Sequence, residues 1–165
     1  MTVRLEDPEA RLQHARDVAW KALNRRERTV AELARLLAAK RVEPAAIETV
    51  LAELLEQGYL DDASYAQRFA DDRRRLDAWG AERIERKLLS LGIDRELIAA
   101  AVGEQDHAGE TGAALELLAR RFPEPPQTPR DRDRALGMLV RKGYELELAY
   151  DALRRHCGAR DESYD

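Results

Sequence analysis

Cysteine is nearly absent from this 165-residue chain: Cys157 stands alone and can close no intramolecular disulfide. Long apolar runs are missing too, none approaching the roughly 20 residues that cross a bilayer. The opening MTVRLEDPEA has neither an apolar core nor a small-residue cleavage pattern, so a cytoplasmic location without membrane contact is expected. Aromatic residues are 5% of the chain against 44% hydrophobic residues overall, a balance that suits Leu and Ala on closely packed helices better than a sheet core. Charge of one sign is also lacking. The 28 Lys and Arg nearly cancel 32 Asp and Glu, and the net of -4 disfavours a simple basic nucleic-acid coat. Local asymmetry survives the average, since residues 119–142 hold seven basic and three acidic residues.

Catalytic constellations are equally scarce. His14, His107 and His156 are scattered, and the adjacent His156 and Cys157 project about 100° apart on a helix. No phosphate-cradling Gly-x4-Gly-Lys-Ser/Thr loop is present. The expectation is a protein that is not an enzyme, with no metal and no cofactor.

What the chain does contain is punctuated helix. Asp7-Pro8-Glu9 opens the first, expected to reach about Asn24, and Thr29 with Glu32 forms a capping box for the second. The third starts at Pro44 and stops at Gly58. Asp61 or Asp62 caps a fourth, broken at Gly80, and a fifth passes through Ile84, Leu88 and Leu91. Asp94 caps a sixth, covering Glu96 to Val102, and a seventh is expected from about Thr111 to Arg121. After the proline-rich PEPPQTP, Thr128-Pro129 starts an eighth that Gly143 closes, and a ninth ends before Gly158.

The helices repeat in threes with a period of 51 residues. With Val42, Ile93 and Tyr144 in register, Leu33, Ile84 and Ala135 superpose, as do Leu37, Leu88 and Leu139. The columns Ile47, Ile98, Ala149 and Leu51, Val102, Leu153 follow, and the turns Lys40-Arg41-Val42, Leu91-Gly92-Ile93 and Lys142-Gly143-Tyr144 align between helices. The seventh helix does not keep this register. The fold expected is all-α: three tandem three-helix repeats, helix-turn-helix-like, in an elongated curved array. Its divisions are a lead-in at 1–11, repeats at 12–61, 62–104 and 105–157 with the proline-rich connection at 123–129, and an acidic tail at 158–165. Units this small are expected to pack end to end.

Gly58-Tyr59-Leu60-Asp61-Asp62-Ala63-Ser64-Tyr65-Ala66 resembles the signature of the RecX family: a glycine, an aromatic, an apolar residue and two aspartates ahead of a helix with Tyr-Ala. Arg28-Thr29-Val30-Ala31-Glu32-Leu33 is similar to that family's Arg-Ser-x-x-Glu-Leu, with Thr29 in the serine place. Gly80, Arg83, Ile84, Leu88, Gly92 and Ile93 match its second unit, and the third unit diverges most. The resemblance covers roughly residues 12–155. It implies a negative modulator of the RecA recombinase, a monomer acting in the SOS response and DNA repair. Such a protein lies in the groove of the RecA filament, reaches single-stranded DNA within it, and inhibits strand exchange, ATP hydrolysis and coprotease activity. Direct DNA binding by helix-turn-helix-like units, and a generic helical adaptor, are the rival readings. On physical grounds Thr29, Glu32, Gly58, Tyr59, Asp61 and Asp62 are read as structural, the double aspartate joining units rather than forming a catalytic dyad.

Basic clusters are Arg25, Arg26 and Arg28; Arg73, Arg74 and Arg75; Arg83, Arg86 and Lys87; and Arg130, Arg132, Arg134, Arg141 and Lys142, and all of them but Arg28 and Arg132 are the candidate contacts with a partner or DNA. Arg83, Arg86 and Lys87 share a helix face by their spacing, as do Arg130 and Arg134. Such a face suits phosphates or an acidic protein surface. The opposing expectation is that Asp71, Asp72, Glu82, Glu85, Asp131 and Asp133 neutralise the runs through helical ion pairs. Trp20, Trp79 and Tyr144 are expected in the core or between units.

Overall fold

The computed structural model describes residues 7–158; the start of the lead-in and the acidic tail beyond Gly158 lie outside the described residues. Nine α-helices fill this span, with no strand among the described residues. They are α1 (Pro8–Arg25), α2 (Val30–Ala39), α3 (Pro44–Glu56), α4 (Asp62–Asp77), α5 (Ala81–Ser90), α6 (Arg95–Val102), α7 (His107–Arg121), α8 (Pro129–Lys142) and α9 (Leu146–Gly158). Three three-helix bundles result, α1–α3, α4–α6 and α7–α9, each with its own buried cluster. The third helix packs on both others in every bundle.

The 51-residue columns are core. Leu33, Ile84 and Ala135, and Leu37, Leu88 and Leu139, are fully buried, with Val42, Ile93 and Tyr144 behind them. A further column, Val50, Ala101 and Ala152, is buried in all three bundles, whereas Ile47 and Leu51 are only partly so. First helices follow the same rule with small residues. Ala15 and Ala19 on α1 recur 51 residues later as Ala66 and Ala70 on α4, where closely approaching helices leave room for little more than a methyl group. On α7 the buried pair is Ala114 and Leu118, 48 residues further on, so this helix runs three residues early. The proline-rich connection takes up the difference.

That connection is pinned to its own bundle. Pro125 and Pro126 are buried, and the Pro126 carbonyl accepts from Arg132 Nε at 3.4 Å. His156 Nε2 lies 2.8 Å from the Phe122 carbonyl. Two helix ends differ from the sequence reading. α7 begins at His107, not near Thr111, because Asp106 caps it through the Gly109 amide at 2.7 Å; Gly109 and Gly112 dilute the helical signal of its first turns. α9 continues through Gly158.

The three aligned turns have one construction. The amides of Val42, Ile93 and Tyr144 reach back to the carbonyls of Leu37, Leu88 and Leu139 at 3.0–3.2 Å, and the residue before each has positive φ: Arg41 +60°, Gly92 +78°, Gly143 +99°. This is a Schellman closure, with the buried column residue as its apolar clasp.

Candidate partner-binding surface

Bundles join through polar contacts repeated at the 51-residue period. At the first joint Thr29 Oγ1 donates to the Leu91 carbonyl at 2.6 Å. At the second, 51 residues on, the Gly80 amide donates to the Lys142 carbonyl at 2.8 Å and the Glu82 amide to Gly143 at 3.0 Å. The start of one bundle's second helix thus seats the closing turn of the next bundle's second helix. No hydrogen bond or ion pair among the described residues links the first bundle to the third, so these polar joints tie each bundle only to its neighbour in sequence.

The double aspartate divides its work at the first joint. Asp61 caps its own helix, accepting from the Ser64 amide and hydroxyl at 3.0 Å, and those bonds, the amide's foremost, lower its pKa. Asp62 turns away and accepts from the Val30 amide of α2 at 3.0 Å; burial outweighs that bond and raises its pKa. Burial also pushes Glu32 up, but bonds from Arg26 and the Thr29 amide more than offset it and leave the carboxyl lowered. Arg68 pairs with Glu27 across the same joint. Gly58 holds the left-handed turn at +78°, and Tyr59 stays exposed with its ring edge-on to Trp20 at 4.6 Å.

Many candidate cations face inward. Arg74 Nη2 donates to the Val102 carbonyl at 2.6 Å, closing the C-terminal end of α6. Arg83 lies over the Trp79 ring at 4.1 Å and donates to the Arg141 carbonyl at 3.2 Å. Arg73 approaches the same ring at 5.8 Å and pairs with Asp77. Lys142 Nζ donates to the Asp77 carbonyl at 2.8 Å, and the buried Tyr144 hydroxyl to Ala78 at 2.9 Å. Arg73, Arg83 and Lys142 therefore converge on the second joint.

Of the acids expected to neutralise the runs, Asp72 pairs with Arg75 at 3.3 Å and Asp131 with Arg134 at 3.6 Å, while Asp71, Glu82, Glu85 and Asp133 make no ion pair among the described residues. Arg26 pairs with Glu32 at 2.8 Å. Arg25, Arg86, Lys87, Arg130 and Arg141 are exposed and without an ion pair among the described residues. Arg83 does not join Arg86 and Lys87 in an outward triad, since its guanidinium is held on Trp79. Arg25 and Arg28 of the first run have companions that the runs did not reveal: with His14, Lys21 and Lys40 they rim a groove of about 290 Å³ between α1 and α2. The spacing of seven and four residues between His14, Lys21 and Arg25 on α1 was the available signal.

No described helix is long and apolar enough to cross a membrane, and no described cluster of three His, Cys, Asp or Glu side chains could hold a metal ion. Residues 15–54 match the family model for the first three-helix domain of RecX, and 61–102 that for the second. The chain is 31% identical to the regulatory protein RecX of Thermobifida fusca over 160 residues, covering 96% of this chain and 86% of that one. It is 35% identical to the regulatory protein RecX of Leptothrix cholodnii over 136 residues, or 82% and 85% of the two chains. The crystal structure of RecX from Lactobacillus salivarius superposes with a TM-score of 0.78 at 16% identity, covering 90% of this chain and 97% of that one.

Proposed function

The chain belongs to the RecX family, and from that premise we propose that it is a negative modulator of the RecA recombinase that lies in the groove of the RecA–DNA filament and inhibits ATP hydrolysis and strand exchange. The observation that carries the reading is the array itself. Three bundles repeat one joint at one spacing, and no hydrogen bond or ion pair among the described residues ties the first to the third. A surface of regularly spaced modules suits a partner that is itself periodic, such as protomers along a filament. Mixed charge on that surface sets register more than raw affinity.

The joints hold the modules at fixed separations. Arg83, Lys142 and Tyr144 bind main-chain carbonyls across the second joint, so the array meets its partner with little internal freedom to lose. Arg86, Lys87, Arg130 and Arg141 remain outward for the filament or the single-stranded DNA within it.

Titrating the full chain into RecA on single-stranded DNA and following ATP hydrolysis tests this. A progressive fall in rate at micromolar protein is expected; an unchanged rate overturns the proposal. Salt-dependent binding to naked DNA with no effect on RecA would instead favour the direct DNA-binding reading.

A further inference from the structure

The groove between α1 and α2 has a counterpart in the second bundle, and the two differ in what fills them and in the charge of their rims: Lys21, Arg25 and Lys40 stand where Asp72, Leu76 and Leu91 stand 51 residues on. Moving 51 residues along the chain carries His14 to Tyr65, Val18 to Phe69 and Arg28 to Trp79. In the second bundle those three aromatic rings pack on the core, Phe69 6.3 Å from Tyr65 and 6.1 Å from Trp79, with Arg73 and Arg83 over their faces. In the first bundle an imidazole, an isopropyl group and a guanidinium stand instead, and the space is open to about 290 Å³. Val18, Ala22 and Leu36 form its floor, Lys21, Arg25 and Lys40 its rim, and no acidic side chain lines it.

The geometry points to this groove as the docking site for an acidic peptide segment of a partner protein that inserts one aromatic side chain. The sister bundle shows what such a hollow accepts: aromatic rings between the two helices with cations against them. The rim supplies the cations. Its volume falls just below the ~300–1,000 Å³ of small-molecule sites, which suits one or two side chains rather than a cofactor. A peptide fits better than a nucleic-acid strand for two reasons. The floor is aliphatic and offers no aromatic platform on which a base would stack. A polyanion also carries charge along its whole length and would extend onto a chain whose net charge is -4, whereas a short acidic segment ends at the rim. The inference does not depend on RecA being the partner, and its test contains no RecA.

The probe is the acetylated, fluorescein-labelled heptapeptide Glu-Asp-Glu-Trp-Glu-Asp-Glu, titrated with the full chain and followed by fluorescence anisotropy. Saturable binding is expected, weakened about tenfold or more when Trp in the peptide is replaced by Ala, or its acids by their amides. The paired substitution His14→Tyr with Val18→Phe installs the sister bundle's rings and is expected to abolish binding while the thermal midpoint holds. Should that variant fail to fold, Lys21→Gln with Arg25→Gln changes only exposed rim positions and is expected to weaken binding about tenfold. No saturable binding to the unaltered chain overturns the proposal, as does equal binding of the Ala peptide or undiminished binding by the rim variant. A labelled oligothymidylate that binds in place of the peptide, and is lost on the same rim variant, overturns it in favour of nucleic acid.

Discussion

The two joints of the array sit at equivalent positions, 51 residues apart, and are built from different chemistry. At the first, side chains do the joining: the Thr29 hydroxyl meets the Leu91 carbonyl, and Asp62 reaches the Val30 amide. At the second, main chain meets main chain, because Gly80 stands where Thr29 would and lets the backbones touch; a Cβ on Gly80 would lie 2.5 Å from the Gly143 carbonyl atoms. A side-chain joint tolerates conservative change, since a hydroxyl can be moved or replaced. A main-chain joint depends on the absence of side chains. The second joint should therefore be the more brittle, although Tyr144, Lys142 and Arg83 reinforce it.

Three register-equivalent residues sharpen that contrast most. Gly143→Ala combines a positive φ with overlap against the Arg83 main chain, and should cost upwards of about 4 kcal/mol by denaturant unfolding. Gly92→Ala would set a Cβ 2.4 Å from the Ala31 Cβ, which has no rotamer to move to, but clear of that residue's main-chain N and carbonyl, and should cost about 3 kcal/mol. Arg41→Gly, at the turn that seats against no other bundle, should change stability by under about 1 kcal/mol, with relief of backbone strain set against a freer unfolded chain. Equal effects at 92 and 143 would erase the distinction between the joints.

Tyr144 gives the second joint a pH signature. Burial raises its hydroxyl to about 12, from the ordinary 10. Above pH 10 the unfolded chain releases this proton while the folded chain retains it, so stability is complete below 10 and is lost as pH rises through about 12. The loss approaches about 3 kcal/mol at most. Tyr144→Phe should cost about 1–2 kcal/mol at neutral pH, by leaving the Ala78 carbonyl unpaired, and should remove this alkaline dependence. Thermal midpoints of both proteins between pH 8 and 12 check it.

The first joint should respond less. Thr29→Val removes both a helix cap and the bond to Leu91, for an expected loss of about 1–2 kcal/mol. Its acids oppose each other. Glu32, lowered, favours the fold above its unfolded pKa and loses that contribution as pH falls through its folded pKa; Asp62, raised, favours the fold more once protonated. The smallest effect belongs to Asp62→Asn, which keeps an acceptor for Val30 and removes a buried charge facing Asp61 and Glu32, so stability at pH 7 should shift by less than about 1 kcal/mol. Asp62→Ala strands the Val30 amide and should cost about 1 kcal/mol. Chemical denaturation of the pair separates loss of the acceptor from loss of the charge.

The all-helical fold was legible because buried columns at fixed spacing and capping residues are local signals: Leu37, Leu88 and Leu139 announce one core position three times. The roles of glycines and arginines were less legible because they depend on contacts 28 to 65 residues away in the chain. Gly80 reads as the end of α4, yet Ala78 makes that stop, taking φ +53° itself, and the glycine serves the joint instead. Arg74, Arg83 and Lys142 read as outward charge because acids three or four residues away are visible in sequence, whereas the distant carbonyls they bind are not. The rim of the α1–α2 groove was missed because His14 and Lys21, though seven and four residues from their neighbours on α1, stand outside the arginine runs, and Lys40 joins them from the end of α2 only after folding.

The constant 51-residue step has a consequence for how such a chain can change in length. Each step brings a seat at the start of its second helix and a plug at that helix's end, so copying one whole step would add a bundle together with the means of attaching it. Shorter insertions would separate plug from seat, except ahead of α8, where three residues have already been absorbed. A repeat of this kind has no inherent last unit, and the turns themselves differ in a single side chain: at position 41 arginine occupies the slot that glycine fills in the other two turns.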